Sequence, residues 1–234
     1  MTGTVRELVP AAHLRTVQTG RSVIVVNYLD GTVTLLTGRA HATWLTYVRG
    51  ATMRSRDPYV HVWLRRGWLA AGRSDATTCT TVQVSDPVSS WGTQEVSVYL
   101  PPPAPCPWRW RFAAFPAVLA VVAVKHLGQP TGTFHRLVQA CRIGTRLPVA
   151  SSEQAHRAVR AVRWAARLIP ARVACLEESV AAVLLLVAAG KRARWRHGIA
   201  TDPIRLHAWL VDPDGAAVEE PAETAQYTVI TEMP

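Results

Sequence analysis

Cys175 and His207 are the residues of this chain whose type and setting suit nucleophilic chemistry. Cys175 lies in Arg172-Val173-Ala174-Cys175-Leu176-Glu177-Glu178-Ser179, which opens an apolar run ending at Ala189-Gly190. Downstream, Leu206-His207-Ala208-Trp209-Leu210 reads as a strand, followed by the turn Asp212-Pro213-Asp214-Gly215 and then Glu219-Glu220. A thiol becomes a thiolate with an imidazole beside it, and the imidazole needs a third group to fix its tautomer. Cysteine at a helix start, with histidine and a carboxylate on a later hairpin, would supply all three. Glu219, Glu220 and Asp212 are the carboxylates within reach in sequence; on a strand the two glutamates would face opposite ways.

A cysteine on an apolar helix is ordinarily a core residue. Two features set Cys175 apart. It stands at a helix start, where unpaired backbone N–H groups and the helix dipole favour a thiolate. His207 follows on a run whose alternation puts it on one face with Trp209. Arg172, one helical turn before the thiol, reads as a solvated helix-entrance residue that could also orient a peptide.

The rest of the chain must position these groups. With 234 residues, 49% of them hydrophobic, it can bury the core of one or two domains and is not disordered. The four cysteines, Cys79, Cys106, Cys141 and Cys175, form no CxxC pair and stand at no metal spacing with histidine, which argues against a disulfide scaffold or a zinc site. No metal is expected: His126, His135 and His156 lack partners, and His197 reads as structural. Gly128–Thr133 lacks the lysine of a phosphate-binding loop, so no nucleotide cofactor is expected from the residues. Met1–Pro10 lacks the order of a secretion signal. The expectation is a reduced, cytoplasmic protein.

Charge is uneven. Residues 107–200 hold fifteen Lys/Arg against three Asp/Glu, residues 201–234 one against seven, and the first 106 ten against six. The basic middle suits an acidic peptide, a phosphate or an anionic membrane face. The plain alternative is an arginine-rich composition, with the row Arg157, Arg160, Arg163 and Arg167 solvated on a helix at Ser152–Leu168. Phe112–Val124, with Pro116 inside it, is too short to span a bilayer and reads as a buried helix, with peripheral membrane contact the alternative.

Three regions follow: 1–74, a connecting stretch 75–106 and 107–234. The first has a strand near Leu14–Thr19, then Ser22–Leu29, an Asp30-Gly31 turn and Thr32–Leu36, which is a hairpin signal. Helices are expected at Arg39–Arg49, ended by Gly50, and at Pro58–Trp68. In the connecting stretch Thr80–Val84 and Glu95–Leu100 could be strands around the loop Asp86–Gly92, and Pro101–Pro105 is a stiff linker.

The order of elements through Asp30-Gly31, Thr37–Trp44 and Leu64–Leu69 resembles the RiPP recognition element, the PqqD-like winged-helix module that binds leader peptides. The segment Ala51–Tyr59 is shorter than that family's. Residues 110–234 resemble the leader peptidase of lasso-peptide biosynthesis, a transglutaminase-like cysteine protease. Cys175-Leu176 with Ser179-Val180-Ala181 matches its nucleophile helix, Trp195–Ala200 the strand approaching the histidine, and His207-Ala208-Trp209 its histidine motif. Aligning Gly215 as the turn glycine brings Glu220 to the acid's place, where the family often has aspartate.

Together these resemblances imply an α+β protein with a small winged-helix-like recognition domain (three strands plus helices) ahead of a transglutaminase/papain-like domain. They imply the catalytic set Cys175, His207 and Glu220. They also imply leader capture along Thr32, Val33, Thr34, Leu35 and Leu36, with Val60, Trp63 and Leu64 on the facing helix. The implied partners are the precursor peptide and an asparagine-synthetase-like lasso cyclase, without nucleic acid, and an ATP requirement would follow from the resemblance alone. Two other classes compete: a non-catalytic leader-binding escort with an inert Cys175, and a basic nucleic-acid or membrane-surface binder whose affinity falls steeply with salt.

Overall fold

A computed structural model of the chain describes residues 8–48, 57–71, 80–84, 105–127 and 129–234. The chain divides into two units, Met1–Pro87 and Val88–Pro234. The fold is α+β, with sheets and, among the described residues, six α-helices.

In the first unit, strands β2 (Leu14–Gln18), β3 (Ser22–Asn27) and β4 (Val33–Thr37) form antiparallel neighbours, and β6 (Thr80–Gln83) joins β2 in parallel. The sheet order is β4-β3-β2-β6. Thus Thr80–Gln83, within the stretch expected to connect two domains, extends the first unit's sheet. The β3–β4 loop is longer than a tight hairpin. Asn27 Oδ1 accepts from Leu29 N, Asp30 Oδ1 accepts from Thr32 N, and Gly31 takes φ 77°, a conformation cheapest for glycine. Thr32 therefore belongs to the turn, and the strand starts at Val33.

Helices α1 (Gly38–Val48) and α2 (Pro58–Arg65) close over one face of this sheet, and β1 (Leu8–Pro10) pairs with β5 (Leu69–Ala71). Asp57 caps α2 by accepting from Tyr59 N, with Pro58 just inside the helix, where its missing N–H costs nothing. The helix stops at Arg65, short of Trp68. Gly67 turns the chain at φ 66°, and Trp68 N donates to Trp63 O, a common helix-ending arrangement. Trp44 meets Trp63 and Trp68 edge-on at 5.1 and 6.1 Å. The expected second wall for a peptide is therefore corrected: Val60 and Trp63 are core residues and Leu64 packs against them, because this small unit spends its aromatic residues on its own interior.

The second unit stacks α3 (Trp108–His126), α5 (Ser152–Ala166) and α6 (Cys175–Ala188), with α4 (Thr133–Ala140) alongside, on a sheet of order β8-β7-β9. The strands are β7 (Arg194–Thr201), β8 (Ile204–Val211) and β9 (Thr228–Met233). Helix α6 is apolar on nearly every side from Val180 to Leu186, as a helix enclosed by others must be. Ser151 begins α5 with a reciprocal cap: its Oγ accepts from Gln154 N while Gln154 Oε1 accepts from Ser151 N. Helix α3 extends beyond Phe112–Val124 at both ends. It buries Ala114, Val118 and Val121 and exposes Trp108, Phe112 and Leu119. No helix among the described residues is long and apolar enough to cross a membrane. Cys79, Gly50, the strand expected at Glu95–Leu100 and its loop Asp86–Gly92 lie outside the described residues.

Candidate active site

Cys175 is the first residue of α6. Its N-cap, Ala174, has no side chain that can accept a hydrogen bond, so the carboxylate of Glu177 reaches back to the Ala174 N–H at 3.1 Å. Lys125 on α3 pins that carboxylate at 2.6 Å and also donates to Arg172 O at 3.0 Å. Ser179, one turn further, accepts from Trp195 Nε1 at 2.9 Å and donates to Leu176 O, which fixes α6 against β7. The thiol thus sits at a helix start held from three directions.

His207 lies on β8, opposite Gly198 of β7. Its ring stacks on Trp209 (5.6 Å between centroids, 16° between planes) and meets Tyr227 at 5.2 Å. Gly198 makes room for this arrangement. A Cβ there would come within 2.7 Å of Trp209 Cη2 and 3.0 Å of Thr228 O.

His207 Nε2 donates to Glu220 Oε2 at 2.7 Å, which leaves the other ring nitrogen for its hydrogen bond with Cys175. Burial pushes the Cys175 thiol up. The hydrogen bond with His207, the backbone N–H groups of Ala208 and Leu176 and the charge of His207 outweigh it and hold the thiol below its usual 9.0. Burial pushes the His207 imidazole down, but its bonds to Cys175 and Glu220 bring it up to about 9. Both shifts favour a thiolate–imidazolium pair at neutral pH, the activated state of a cysteine nucleophile. His197, by contrast, is buried between Trp195 and Phe134, and burial lowers it to about 4, which keeps it neutral.

The acid arrives differently from the sequence expectation. Residues 218–221 are a turn, not a strand, and Glu219 takes φ 58°, unusual for a residue with a side chain. Val218 is buried and donates to Leu210 O, which ties this turn to β8. The left-handed step at Glu219 then sends the two carboxylates in opposite directions. Glu220, with 6% of its side chain exposed, faces His207. Glu219 faces α5, where it pairs with His156 and with Arg160 at 2.8 Å. Asp212 is a turn residue that accepts from Ser152 Oγ and Ala216 N.

Arg163 was not legible as a site residue. Its guanidinium contacts Glu220 Oε1 at 2.6 Å, Glu219 O at 2.5 Å and Glu178 Oε2 at 3.2 Å. The expected solvated arginine row is therefore corrected: Arg160 and Arg163 hold the acid-bearing turn, and no local signal separates them from Arg157 and Arg167. A small cavity of about 100 Å³ collects Arg163, Cys175, Glu178, Ser179, His207 and Glu220. Thr32–Leu36, Val60, Trp63 and Leu64 belong to the other unit. No group of three or more His, Cys, Asp or Glu residues among those described could hold a metal ion.

Residues 118–232 match the family model of the transglutaminase-like superfamily, a span that contains Cys175, His207 and Glu220. No curated protein and no solved structure matches the chain. The C-terminal half thus carries a transglutaminase-like domain, and its site is compatible with cysteine-peptidase chemistry.

Proposed function

We propose that this protein is a cysteine peptidase that removes the leader from a ribosomally made precursor of the lasso-peptide kind. The observation that carries the catalytic part is the meeting of Cys175, His207 and Glu220 in one cavity of a transglutaminase-like domain. Cys175 attacks the carbonyl at the leader–core junction while His207 gives its proton to the leaving amine. The C–N bond breaks as the thioester forms. Water, deprotonated by His207, then releases the leader's new carboxylate and restores the thiol. Glu220 keeps the imidazole in the working orientation throughout.

The leader-holding part is supported by the free side of β4. Asn27 N donates to Thr32 O, so by strand alternation Thr32, Thr34 and Leu36 turn their backbone groups toward β3, and Val33 and Leu35 turn theirs outward. Among the described residues β4 is a sheet edge, with Val33 40% and Leu35 49% exposed. An extended leader can add there as a further strand. The released core then passes to an asparagine-synthetase-like cyclase, the expected partner.

The test is incubation of purified protein with a precursor peptide followed by mass spectrometry. Cleavage at one junction, abolished by Cys175→Ala with leader affinity intact, is the expected outcome. Binding without cleavage by the unaltered protein would leave an escort rather than a peptidase. Equal affinity for a scrambled leader would remove the recognition role.

A further inference from the structure

Two grooves adjoin the catalytic cavity. One, of about 430 Å³, shares Trp209 and Glu220 with it and is walled by Pro221, Ala222, Tyr227 and Val229. The other, of about 360 Å³, shares Arg163 and Glu178 with it and is walled by Arg167, Arg172 and Val173. A peptide extended across Cys175 would meet aromatic and apolar walls in the first groove and guanidinium groups in the second. Of those three arginines, Arg163 is committed to Glu220 and Glu178. Arg167 and Arg172 are exposed; Arg167 lies near enough to Glu178 to favour its charged form, and Arg172 has no carboxylate as its ion-pair partner among the described residues. Arg172 stands three residues before the nucleophile on the extended entry to α6, and Arg167 follows the end of α5. Both therefore sit on segments that also carry the site.

We propose that this second groove is an anion subsite, in which Arg167 and Arg172 receive an Asp or Glu side chain of the peptide substrate, close in sequence to the bond that is cut. The inference rests on the peptidase reading and adds the chemistry of the substrate's flank. A guanidinium fork takes a carboxylate through two parallel hydrogen bonds, which a diffuse positive field does not. Glu178 repels a second anion from the inner wall, so the substrate's charge settles against the two outer arginines.

Because the substrate is unidentified, the probes are two thiol reagents of one shape class: neutral N-ethylmaleimide and anionic 3-maleimidopropionic acid. The rate at which each modifies Cys175 in the full chain is followed by peptide mapping. In the Arg167→Gln/Arg172→Gln variant the anionic-to-neutral rate ratio should fall about three- to tenfold, while the neutral rate stays as it was. The Lys/Lys variant, with charge but no fork, should fall between. Arg146→Gln is the control, since that exposed residue belongs to the turn whose Gly144 lies against Val187 at the far end of α6. An unchanged ratio in the Gln/Gln variant, or an equal fall in the control, overturns the subsite and leaves the nucleophile standing. Cys175 unreactive toward both reagents overturns the thiolate and the subsite with it.

Discussion

The Cys175–His207–Glu220 end of the second unit and the β4 edge of the first are built on opposite plans. Around His207 the three carboxylates are each held twice: Glu220 is shared between His207 and Arg163, Glu219 between His156 and Arg160, and Glu177 between Lys125 and the α6 backbone. Along β4, among the described residues, the outward backbone groups of Val33 and Leu35 face no neighbouring strand, and two large apolar side chains stay exposed. Chemistry needs groups fixed before the substrate arrives, since orientation gained in advance is not lost again in the transition state. Capture of an extended chain needs the reverse, a row of hydrogen-bonding groups still available. The two regions thus differ in how much of their polar capacity folding consumes.

Substitutions that break the fixed region should have the largest effects. Cys175→Ala should abolish cleavage outright, and alkylation with peptide mapping should show Cys175 modified ahead of the buried Cys106 and Cys141. Glu220→Gln should lower turnover roughly 10²- to 10⁴-fold, by the behaviour of other triads, with precursor affinity unchanged in a titration.

The pH dependence sharpens the same point. Cys175 is lowered and His207 raised to about 9, so alkylation by iodoacetamide should already be fast near neutral pH. In His207→Ala the imidazole's bond and charge are gone, while burial and the backbone N–H groups of Ala208 and Leu176 remain. The midpoint of the rate-against-pH curve should therefore move up. A curve that does not move would show that His207 is not the group that activates the thiol.

Arg163→Gln should cost roughly tenfold in kcat, with Arg163→Lys in between, because lysine supplies the charge but not the fork that spans Glu220, Glu178 and the Glu219 carbonyl. On the open region, Val33→Pro or Leu35→Pro removes an outward N–H without touching the β3 ladder. Leader affinity should drop about fivefold to tenfold for the loss of one such bond, while the far-ultraviolet circular dichroism stays unchanged. The smallest effect is expected from Glu219→Gln: turnover within about twofold, and stability lower by about 1 kcal/mol at most, as for partly exposed ion pairs, read by urea denaturation.

The position of Cys175 at a helix start, His207 and Trp209 on one face of a strand, and the boundaries of β2 and α5 to within a few residues were all legible, because they depend on periodicity and caps a few residues long. Arg163 was not, because its role depends on a turn 56 residues away. The acid's path was misread because Glu-Glu after a glycine turn suggests a strand. The ties of Val218 to β8, of the Glu219 carbonyl to Arg163 and of the Glu219 carboxylate to α5 together hold the left-handed step. Val60, Trp63 and Leu64 illustrate the converse. An apolar helix face looks the same in sequence whether it awaits a ligand or a sheet, and here the sheet and Trp44 fill it.

By itself, then, the sequence determined what is local: the thiol at the head of an apolar helix, the imidazole on a strand, the hairpin turn and the caps. Tertiary structure alone decided which of two adjacent carboxylates meets the imidazole and which arginine holds it there. It also decided which apolar side chains are left for a partner. Those choices rest on contacts between segments far apart in the chain, where burial makes an unpaired charge costly enough to select one arrangement.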